Sequence, residues 1–231
     1  MPSATSGLTT YDRAPDQEPG TPQVPEGLLG HSRSAVDLAT GRIELLHPHD
    51  AMDLIYRLNF GLEGPEPPFW AQPWPCGVEL AGAVAGRDVR GARVLELGCG
   101  LALPSLAAAQ GGARVLATDY APAALEFATY NADRNGLRLE VAVCDWAEPA
   151  DVLAAGPWDL VLAADVLYAH DGLDDLAALL PLLVGDVGEL WLADQDRPPA
   201  RDFLRACERW ASLTTTATTD PAVSIHRLVP R

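Results

Sequence analysis

Between residues 94 and 193, five short aliphatic segments alternate with segments that have helical periodicity. The aliphatic segments are residues 94–97, 115–118, 139–143, 160–163 and 189–193. Strands that alternate with helices predict a parallel sheet with helices on both faces, because each parallel crossover needs a connection long enough for a helix. Further along the chain, residues 213–219 and 224–228 flank an Asp-Pro pair and predict a closing antiparallel hairpin. The chain is therefore expected to adopt an α/β fold.

Composition divides the chain into three parts. Residues 1–30 are rich in proline, glycine, serine and threonine, which predicts a disordered arm. Residues 31–85 are expected to hold a hairpin around Gly41, a helix over residues 50–60 and a loop rich in proline and tryptophan. Residues 86–231 are expected to form the core of the fold.

The charge balance restricts the partners that the chain could bind. Aspartate and glutamate number 32 against 16 lysines and arginines, a formal net charge of −16. Nucleic acids and anionic membranes attract basic surfaces, so neither partner is expected. A basic protein substrate is compatible with this charge, although solubility alone would also explain it. We expect a monomer.

The cysteines, histidines and hydropathy indicate a reducing compartment and no metal. The four cysteines show no CxxC spacing, and the chain shows neither a secretory signal pattern nor an apolar segment long enough to span a bilayer. His47 and His49 are close in sequence, but no other ligand cluster supports a metal site. We therefore expect a cytoplasmic protein without a bound metal.

A glycine turn, Leu97-Gly98-Cys99-Gly100, lies between the first strand and the helix that follows. Helix N-termini carry unpaired backbone N–H groups, and glycine lets the backbone approach a ligand closely. The dinucleotide fingerprint requires a third glycine three positions after the second, where this chain has Leu103. A pyrophosphate ligand is therefore disfavoured.

Carboxylates near the strand ends favour S-adenosylmethionine as the ligand. Glu96 lies within an apolar strand, where it could pair with the cationic methionyl end or with local backbone amides. Asp119 follows the second strand, where an acidic side chain can bind ribose hydroxyls or cap the next helix. Asp145 and Trp146 follow the third strand and could frame the adenine, although Trp146 could also be a core residue.

Several motifs together resemble those of the class I, seven-strand S-adenosylmethionine-dependent methyltransferases. These are Val-Leu-Glu-Leu-Gly-Cys-Gly at residues 94–100, Thr-Asp-Tyr at 118–120 and Cys-Asp-Trp at 144–146. Ala-Asp-Val-Leu-Tyr at 164–168 and Phe-Trp-Ala-Gln-Pro-Trp-Pro at 69–75 narrow the resemblance to the methyltransferase-like protein-lysine methyltransferases, which carry an Asp-x-x-Tyr motif. The resemblance covers roughly residues 65–210. It implies a Rossmann-like, doubly wound, mostly parallel sheet of seven strands ending in the antiparallel hairpin.

The resemblance also implies roles for individual residues. Asp165 and Tyr168 would be the catalytic pair at the acceptor entrance, although they could instead cap a turn and fill the core. Residues 31–85 would contribute to the active-site cover. The residues implied to bind the cofactor are Trp74, Glu96, Gly98, Cys99, Gly100, Asp119, Tyr120, Asp145, Trp146 and Ala164.

The expected activity is methyl transfer from S-adenosylmethionine to a lysine amine of a protein. A small-molecule N- or O-methyltransferase and a non-catalytic binding module on the same fold are the alternatives. Two features depart from the family pattern. Ala102 stands where many members have a third glycine, and the first 60 residues match no pattern of the family.

Overall fold

A computed structural model describes residues 8–11, 20–23, 30–59, 67–168 and 172–231. The strands are β1 (Leu8–Tyr11), β2 (His31–Leu38), β3 (Gly41–Pro48), β4 (Arg93–Leu97), β5 (Arg114–Asp119), β6 (Glu140–Val143), β7 (Leu160–Ala164), β8 (Glu189–Asp194), β9 (Ala211–Ala217) and β10 (Ser224–Pro230). The helices are α1 (Ala51–Asn59), α2 (Pro75–Ala85), α3 (Leu103–Gln110), α4 (Pro122–Arg134), α5 (Ala150–Ala155), α6 (Leu173–Val184) and α7 (Pro198–Cys207), with a short 3-10 helix at Phe69–Ala71.

Seven strands form the main sheet in the order β6-β5-β4-β7-β8-β10-β9. The strands from β6 to β8 run parallel, and β10 is antiparallel to both β8 and β9. The prediction of a mostly parallel seven-strand sheet with an antiparallel end is confirmed. The chain builds outward from β4 to β6 and then returns to β7, so the strand order reverses between β4 and β7. In open α/β sheets, ligands bind at the carboxyl ends of the strands beside such a reversal.

Side chains of the central strands alternate between two cores. On β4, Val94 packs into the core that includes α2 and α3, while Leu95 and Leu97 pack into the core that includes α6. Successive residues of a strand point to opposite faces. Glu96 therefore lies on the same face as Val94, the face on which α3 begins.

A second sheet of three strands, in the order β1-β2-β3, lies at the N-terminal part of the described chain. The hairpin predicted around Gly41 is present, with Gly41 at a φ of 132°. Leu8–Tyr11 pairs with β2, so these four residues of the predicted disordered arm form a strand instead. Because their partner is more than 20 residues away in the chain, local composition carried no signal for the pairing. Apart from residues 20–23 and 30, the other residues of that segment lie outside the described residues.

Two asparagines, one near the C-terminus of α4 and one immediately after it, attach the hairpin to the main domain. The side chain of Asn131 accepts a hydrogen bond from Leu46 N (2.7 Å) and donates one to Leu46 O (3.1 Å). Asn135 makes the same pair of bonds with Glu44, at 2.9 and 2.7 Å. Each side-chain amide therefore satisfies both the N–H and the C=O group of one residue of β3.

Replacing Asn131 with alanine should destabilise the fold by about 2–4 kcal/mol. Asn131 and Leu46 are buried, so the change leaves two backbone groups without partners away from water. Chemical denaturation would measure the loss. Asn135→Ala is the matched control, because its bonds are exposed and water can replace them. Equal losses in the two variants would contradict the role of burial.

The sequence-based interpretation differs from the structure at the last helix and at α5. The pattern of residues 200–211 predicts a helix over that range, but α7 spans Pro198–Cys207 and β9 begins at Ala211. Pro198 is suited to the first helical position, where its missing N–H has no partner to lose. The short helix α5 was not predicted from the sequence.

Three further findings concern membranes, metals and thiols. No described helix has both the length and the hydropathy needed to cross a bilayer. Within the described ranges, no group of three or more metal-binding side chains comes together. All four cysteines are buried free thiols.

Candidate active site

A cleft of about 820 Å³, including its open mouth, lies at the carboxyl ends of β4, β5 and β7. Its position beside the reversal in strand order is the usual ligand-binding position of such sheets. Of the twelve site residues predicted from the sequence, all but Asp145 line it. They are Trp74, Glu96, Gly98, Cys99, Gly100, Asp119, Tyr120, Trp146, Ala164, Asp165 and Tyr168.

The glycine turn forms the floor of the cleft. Gly98 and Gly100 have φ values of 62° and 51°, which side chains rarely adopt. A Cβ on Gly100 would lie 3.1 Å from the carbonyl oxygen of Trp70, and one on Gly98 would lie 3.0 Å from a methyl group of Val166. The turn therefore requires glycine both for its conformation and for the close approach of Trp70.

Glu96 is only 1% exposed and accepts a hydrogen bond from Ser105 N at 2.9 Å. Ser105 is in the first turn of α3, where backbone N–H groups lack helical partners. Of the two sequence-based interpretations, pairing with a local backbone amide is present, and the residue also lines the cleft. Burial raises the pKa of Glu96 to about 8, with the hydrogen bond from Ser105 acting in the opposite direction.

Asp119 holds two neighbouring backbone segments. One carboxylate oxygen accepts from Gly100 N and the other from Ala121 N, both at 2.9 Å. The residue is 4% exposed and lines the cleft. Its carboxylate thus fixes the glycine turn and the entry to α4 together, at the place where the sequence predicted a ribose-binding group.

The segment after β6 contributes one of its two predicted residues to the cleft. Trp146 is half-buried, and its ring lies 3.9 Å from where a Cβ on Gly98 would be. Asp145 is exposed and does not line the cleft. Its carboxylate accepts a hydrogen bond from Ala147 N at 3.0 Å within the turn after the strand. The structure therefore does not bring Asp145 to the other site residues, and its adenine-binding role stays a prediction.

The tryptophan-bearing loop approaches the glycine turn closely and forms a wall of the cleft. The indole of Trp74 donates to Phe69 O at 2.7 Å, which closes the loop just before α2 begins at Pro75. Trp70 packs against Phe127 of α4, with ring centroids 5.5 Å apart. The ring of Tyr168 lies 5.1 Å from that of Phe69 and is 42% exposed, so it lies at the mouth rather than in the core.

Asp165 is nearly buried and already paired. Its φ is 59°, and its side chain forms an ion pair with Arg197 and accepts a hydrogen bond from the Gln195 amide at 3.3 Å. Arg197 and Gln195 follow β8, the parallel neighbour of β7. Neither residue was predicted from the sequence, because nothing in the local pattern marks a contact across 32 positions. His170 follows the Asp-x-x-Tyr motif by two residues, which predicts a position near the acceptor mouth, but it lies outside the described residues.

The charges of the cleft favour a cationic ligand. Glu96, Asp119 and Asp165 line it together with aromatic and aliphatic side chains, and none of its described lining residues is basic. Carboxylates in a largely apolar cleft attract a positive group, and aromatic faces interact favourably with cations. The arrangement can therefore hold a cationic small molecule against the glycine turn, with Asp165 and Tyr168 beside it.

Comparison with known proteins gives consistent matches. A family model described as Lysine methyltransferase matches residues 77–210. The electron transfer flavoprotein beta subunit lysine methyltransferase of Xenopus laevis is 33% identical over 181 residues, which cover 70% of this chain and 69% of that protein. The histone-arginine methyltransferase METTL23 of Homo sapiens is 34% identical over 117 residues, which cover 48% of this chain and 62% of that protein, less than two thirds of its length.

Solved structures agree on the fold. The 16S rRNA N2 G1207 methyltransferase of T. Thermophilus, in complex with AdoMet and guanosine, aligns with a TM-score of 0.63 and 16% identity. The alignment covers 91% of this chain and 52% of that one. At this identity the likeness concerns the fold alone.

Proposed function

The chain belongs to the lysine methyltransferase family, whose model matches more than half of its residues, and from this premise we propose that it transfers a methyl group from S-adenosylmethionine to a lysine amine of a protein. One observation carries the proposal. The glycine turn and the Asp-x-x-Tyr pair, Asp165 and Tyr168, open into the same cleft. A donor bound on the turn and an acceptor held by the pair would therefore meet without a change of fold.

The residues of the cleft fit the cofactor of this family, S-adenosylmethionine. Glu96 is an almost fully buried carboxyl that faces the cleft and favours its protonated form in the unliganded protein, and a cationic methionyl end would favour the ionised form that pairs with it. Gly98 and Gly100 give the turn its positive-φ conformation and carry no side chain that would project from it. We propose that Glu96 and the turn hold the methionyl end, that Asp119 holds the ribose, and that Trp146 packs on the adenine.

Methyl transfer requires the protein mainly to align the acceptor nitrogen, the methyl carbon and the sulfur. The bound sulfonium supplies an activated methyl group, so no strong acid or base is needed at the carbon. The uncharged acceptor amine forms the new N–C bond as the C–S bond breaks, and the electron pair of that bond remains on sulfur. Asp165 would orient the incoming amine, and Tyr168 would offer its ring face at the mouth. The proton on the methylated amine then leaves to water.

The acceptor is proposed to be a protein. The matched relatives include a lysine methyltransferase that acts on a flavoprotein subunit, and the net charge of −16 favours a basic partner. A second candidate is methylation of protein arginine, because a histone-arginine methyltransferase matches at 34% identity.

We further propose that the protein acts in the cytoplasm as a monomer, binds neither nucleic acid nor membranes, and uses residues 31–85 to cover the site.

Incubation with methyl-labelled S-adenosylmethionine and a cell lysate tests the proposal. Label should enter a protein band and, after acid hydrolysis, elute with methylated lysine. Methylated arginine would favour the second candidate instead. Label confined to the small-molecule fraction would contradict both and support a small-molecule methyltransferase. The Asp165→Ala variant serves as the negative control for transfer by other enzymes in the lysate.

The buried Glu96 should make the unliganded protein less stable as the pH rises. Its folded-state pKa of about 8 lies above the ordinary value of 4.5, so the folded state favours the protonated form. The stability that this contributes is fully present below pH 4.5 and is lost as the pH rises to about 8, at no more than about 1.4 kcal/mol per pH unit. Denaturation of wild type and Glu96→Gln at several pH values would measure it.

The difference in stability between wild type and Glu96→Gln isolates the titration of Glu96, because glutamine does not titrate. The stability of wild type relative to Glu96→Gln should fall between pH 5 and 8. Glu140→Gln, at an exposed position of the edge strand β6, should follow wild type at every pH. A constant difference between wild type and Glu96→Gln would show that the burial of this carboxyl does not govern its titration.

A further inference from the structure

Arg197 is the cation that compensates the acceptor-site carboxylate. Its guanidinium forms the ion pair with Asp165 and lies 3.6 Å from a carboxylate oxygen of Asp194. The side chain of Arg197 is 28% exposed, whereas those of Asp165 and Asp194 are 8% and 0% exposed. Two nearly buried carboxylates therefore share one guanidinium, directly behind the cleft.

The backbone holds Arg197 in this position. Its N–H donates to Asp194 Oδ1 at 3.1 Å, and Pro198 begins α7 immediately afterwards. Asp165 is held independently, because its N–H donates to Ala193 O at 3.0 Å. The ion pair thus adds a side-chain contact between the ends of the neighbouring strands β7 and β8, which the bond from Asp165 N–H to Ala193 O already joins.

The groups that face Asp165 come from two elements. Gln195 and Arg197 follow β8, and Asp194 ends it. The thiol of Cys76, in the first turn of α2, interacts with the Asp165 side chain, and burial raises its pKa so that it stays uncharged. Burial also raises the pKa of Asp194. Arg197 therefore supplies the positive charge that this group of side chains contains.

We propose that Arg197 is a positioning residue that neutralises Asp165, so that the acceptor amine binds in its uncharged, nucleophilic form. This inference rests on the proposed function, since it concerns the acceptor of the same reaction. Asp165 would then accept a hydrogen bond from the amine and orient it without stabilising the ammonium.

The need for such a cation follows from the chemistry of the acceptor. A free lysine side chain has a pKa of about 10.4, and its ammonium form has no electron pair with which to attack the methyl group. An unpaired carboxylate nearby would favour the ammonium and raise that pKa by about 1–3 units. A guanidinium on the same carboxylate opposes this effect. The basic and acidic groups around the bound amine would then be Arg197, Asp165, Asp194, Glu96 and Asp119.

The test compares pH profiles of methyl transfer for wild type, Arg197→Gln and Arg197→Lys. In Arg197→Gln the pH at which kcat reaches half its maximum should move up by about one unit, because Asp165 would then stabilise the ammonium. At pH 7 this lowers kcat about tenfold, while KM for the acceptor falls or stays constant. Arg197→Lys should restore most of the wild-type profile.

Arg201→Gln is the matched control, because Arg201 lies four residues after Arg197, within α7, and pairs with the exposed Asp196. Its profile should equal that of wild type. An unshifted profile in Arg197→Gln would contradict the inference. A faster reaction at pH 7 would also contradict it, since it would mean that the guanidinium blocks the acceptor site.

A second measurement does not depend on activity. Arg197→Gln should lower the Tm, and the added change Asp165→Asn should recover at least half of the loss, because it removes the uncompensated charge. Failure to recover would contradict the ion pairing on which the inference rests. If wild type methylates no protein while this recovery is observed, the proposed function fails but the charge compensation stands.

Discussion

Replacing Asp119 with alanine should weaken the binding of S-adenosylmethionine by about a hundredfold or more, measured by isothermal titration calorimetry. The carboxylate accepts from Gly100 N and Ala121 N, both at 2.9 Å. Removing it releases the glycine turn from the start of α4 and removes the proposed ribose acceptor as well. A hundredfold loss corresponds to about 2.7 kcal/mol, and one hydrogen bond to a charged group contributes about 1.5–3 kcal/mol.

Two further variants test whether the carboxylate of Asp119 is the cause of the lost affinity. Asp119→Asn keeps one acceptor oxygen and should lose less affinity than the alanine variant. Asp186 is exposed and lies between α6 and the amino end of β8, away from the cleft at the carboxyl ends of the strands. The Asp186→Ala variant should therefore bind the cofactor as wild type does. Wild-type affinity in Asp119→Ala would show that neither the turn nor the ribose depends on this carboxylate.

Asp165→Ala should lower kcat/KM for methyl transfer at least about a hundredfold while the Kd for the cofactor stays within about twofold. The change removes the group proposed to orient the acceptor amine, and misplacement by about 1 Å can cost that much. It also leaves the guanidinium of Arg197 without its partner in the ion pair. Transfer rates and calorimetry on the same preparation would separate the two effects.

Asp196→Ala is the control for this second prediction. Asp196 lies in the same loop as Arg197, but its carboxylate is exposed and pairs with Arg201. Its transfer rate should equal that of wild type. A similar loss of rate in both variants would indicate a disturbed loop, and wild-type rates in Asp165→Ala would exclude this residue from the acceptor site.

The cofactor side of the site was predictable because its signals are local. Glu96, Gly98 and Gly100 lie within five residues of one another, and the strand-turn-helix pattern around them is visible in the sequence. Asp119 was predictable for the same reason, since it ends the next strand of the alternating series. For such residues, the order of elements along the chain fixes the edge of the sheet on which they lie.

The surroundings of Asp165 could not be predicted in the same way. Its partner Arg197 is 32 residues away and reaches it only because β7 and β8 are neighbours with a particular register. Asp145 shows the opposite problem. It follows a strand, as Asp119 does, but its carboxylate accepts from its own turn and is exposed. A position just after a strand predicts that the residue lies at the carboxyl ends of the parallel strands. It does not predict the direction in which the side chain points.

Long-range pairing also explains what was missed in the fold. Leu8–Tyr11 form a strand only because β2 provides an edge for pairing, and a composition rich in small and polar residues does not reveal this. The sequence marks helix boundaries best where proline or glycine stands at them, as in α4, which begins at Pro122 and ends just before Asn135-Gly136. The end of the last helix has no such mark.

Ala102, at the start of α3, has a φ of 60° and is fully buried, and its N–H donates to Cys99 O at 2.7 Å. An alanine in this conformation is strained by about 1 kcal/mol or more, but it has far fewer accessible backbone states than a glycine. The loop is therefore already restricted to few conformations in the folded protein, before any ligand arrives. Binding of the cofactor should then carry a smaller entropic penalty, at the expense of folding stability.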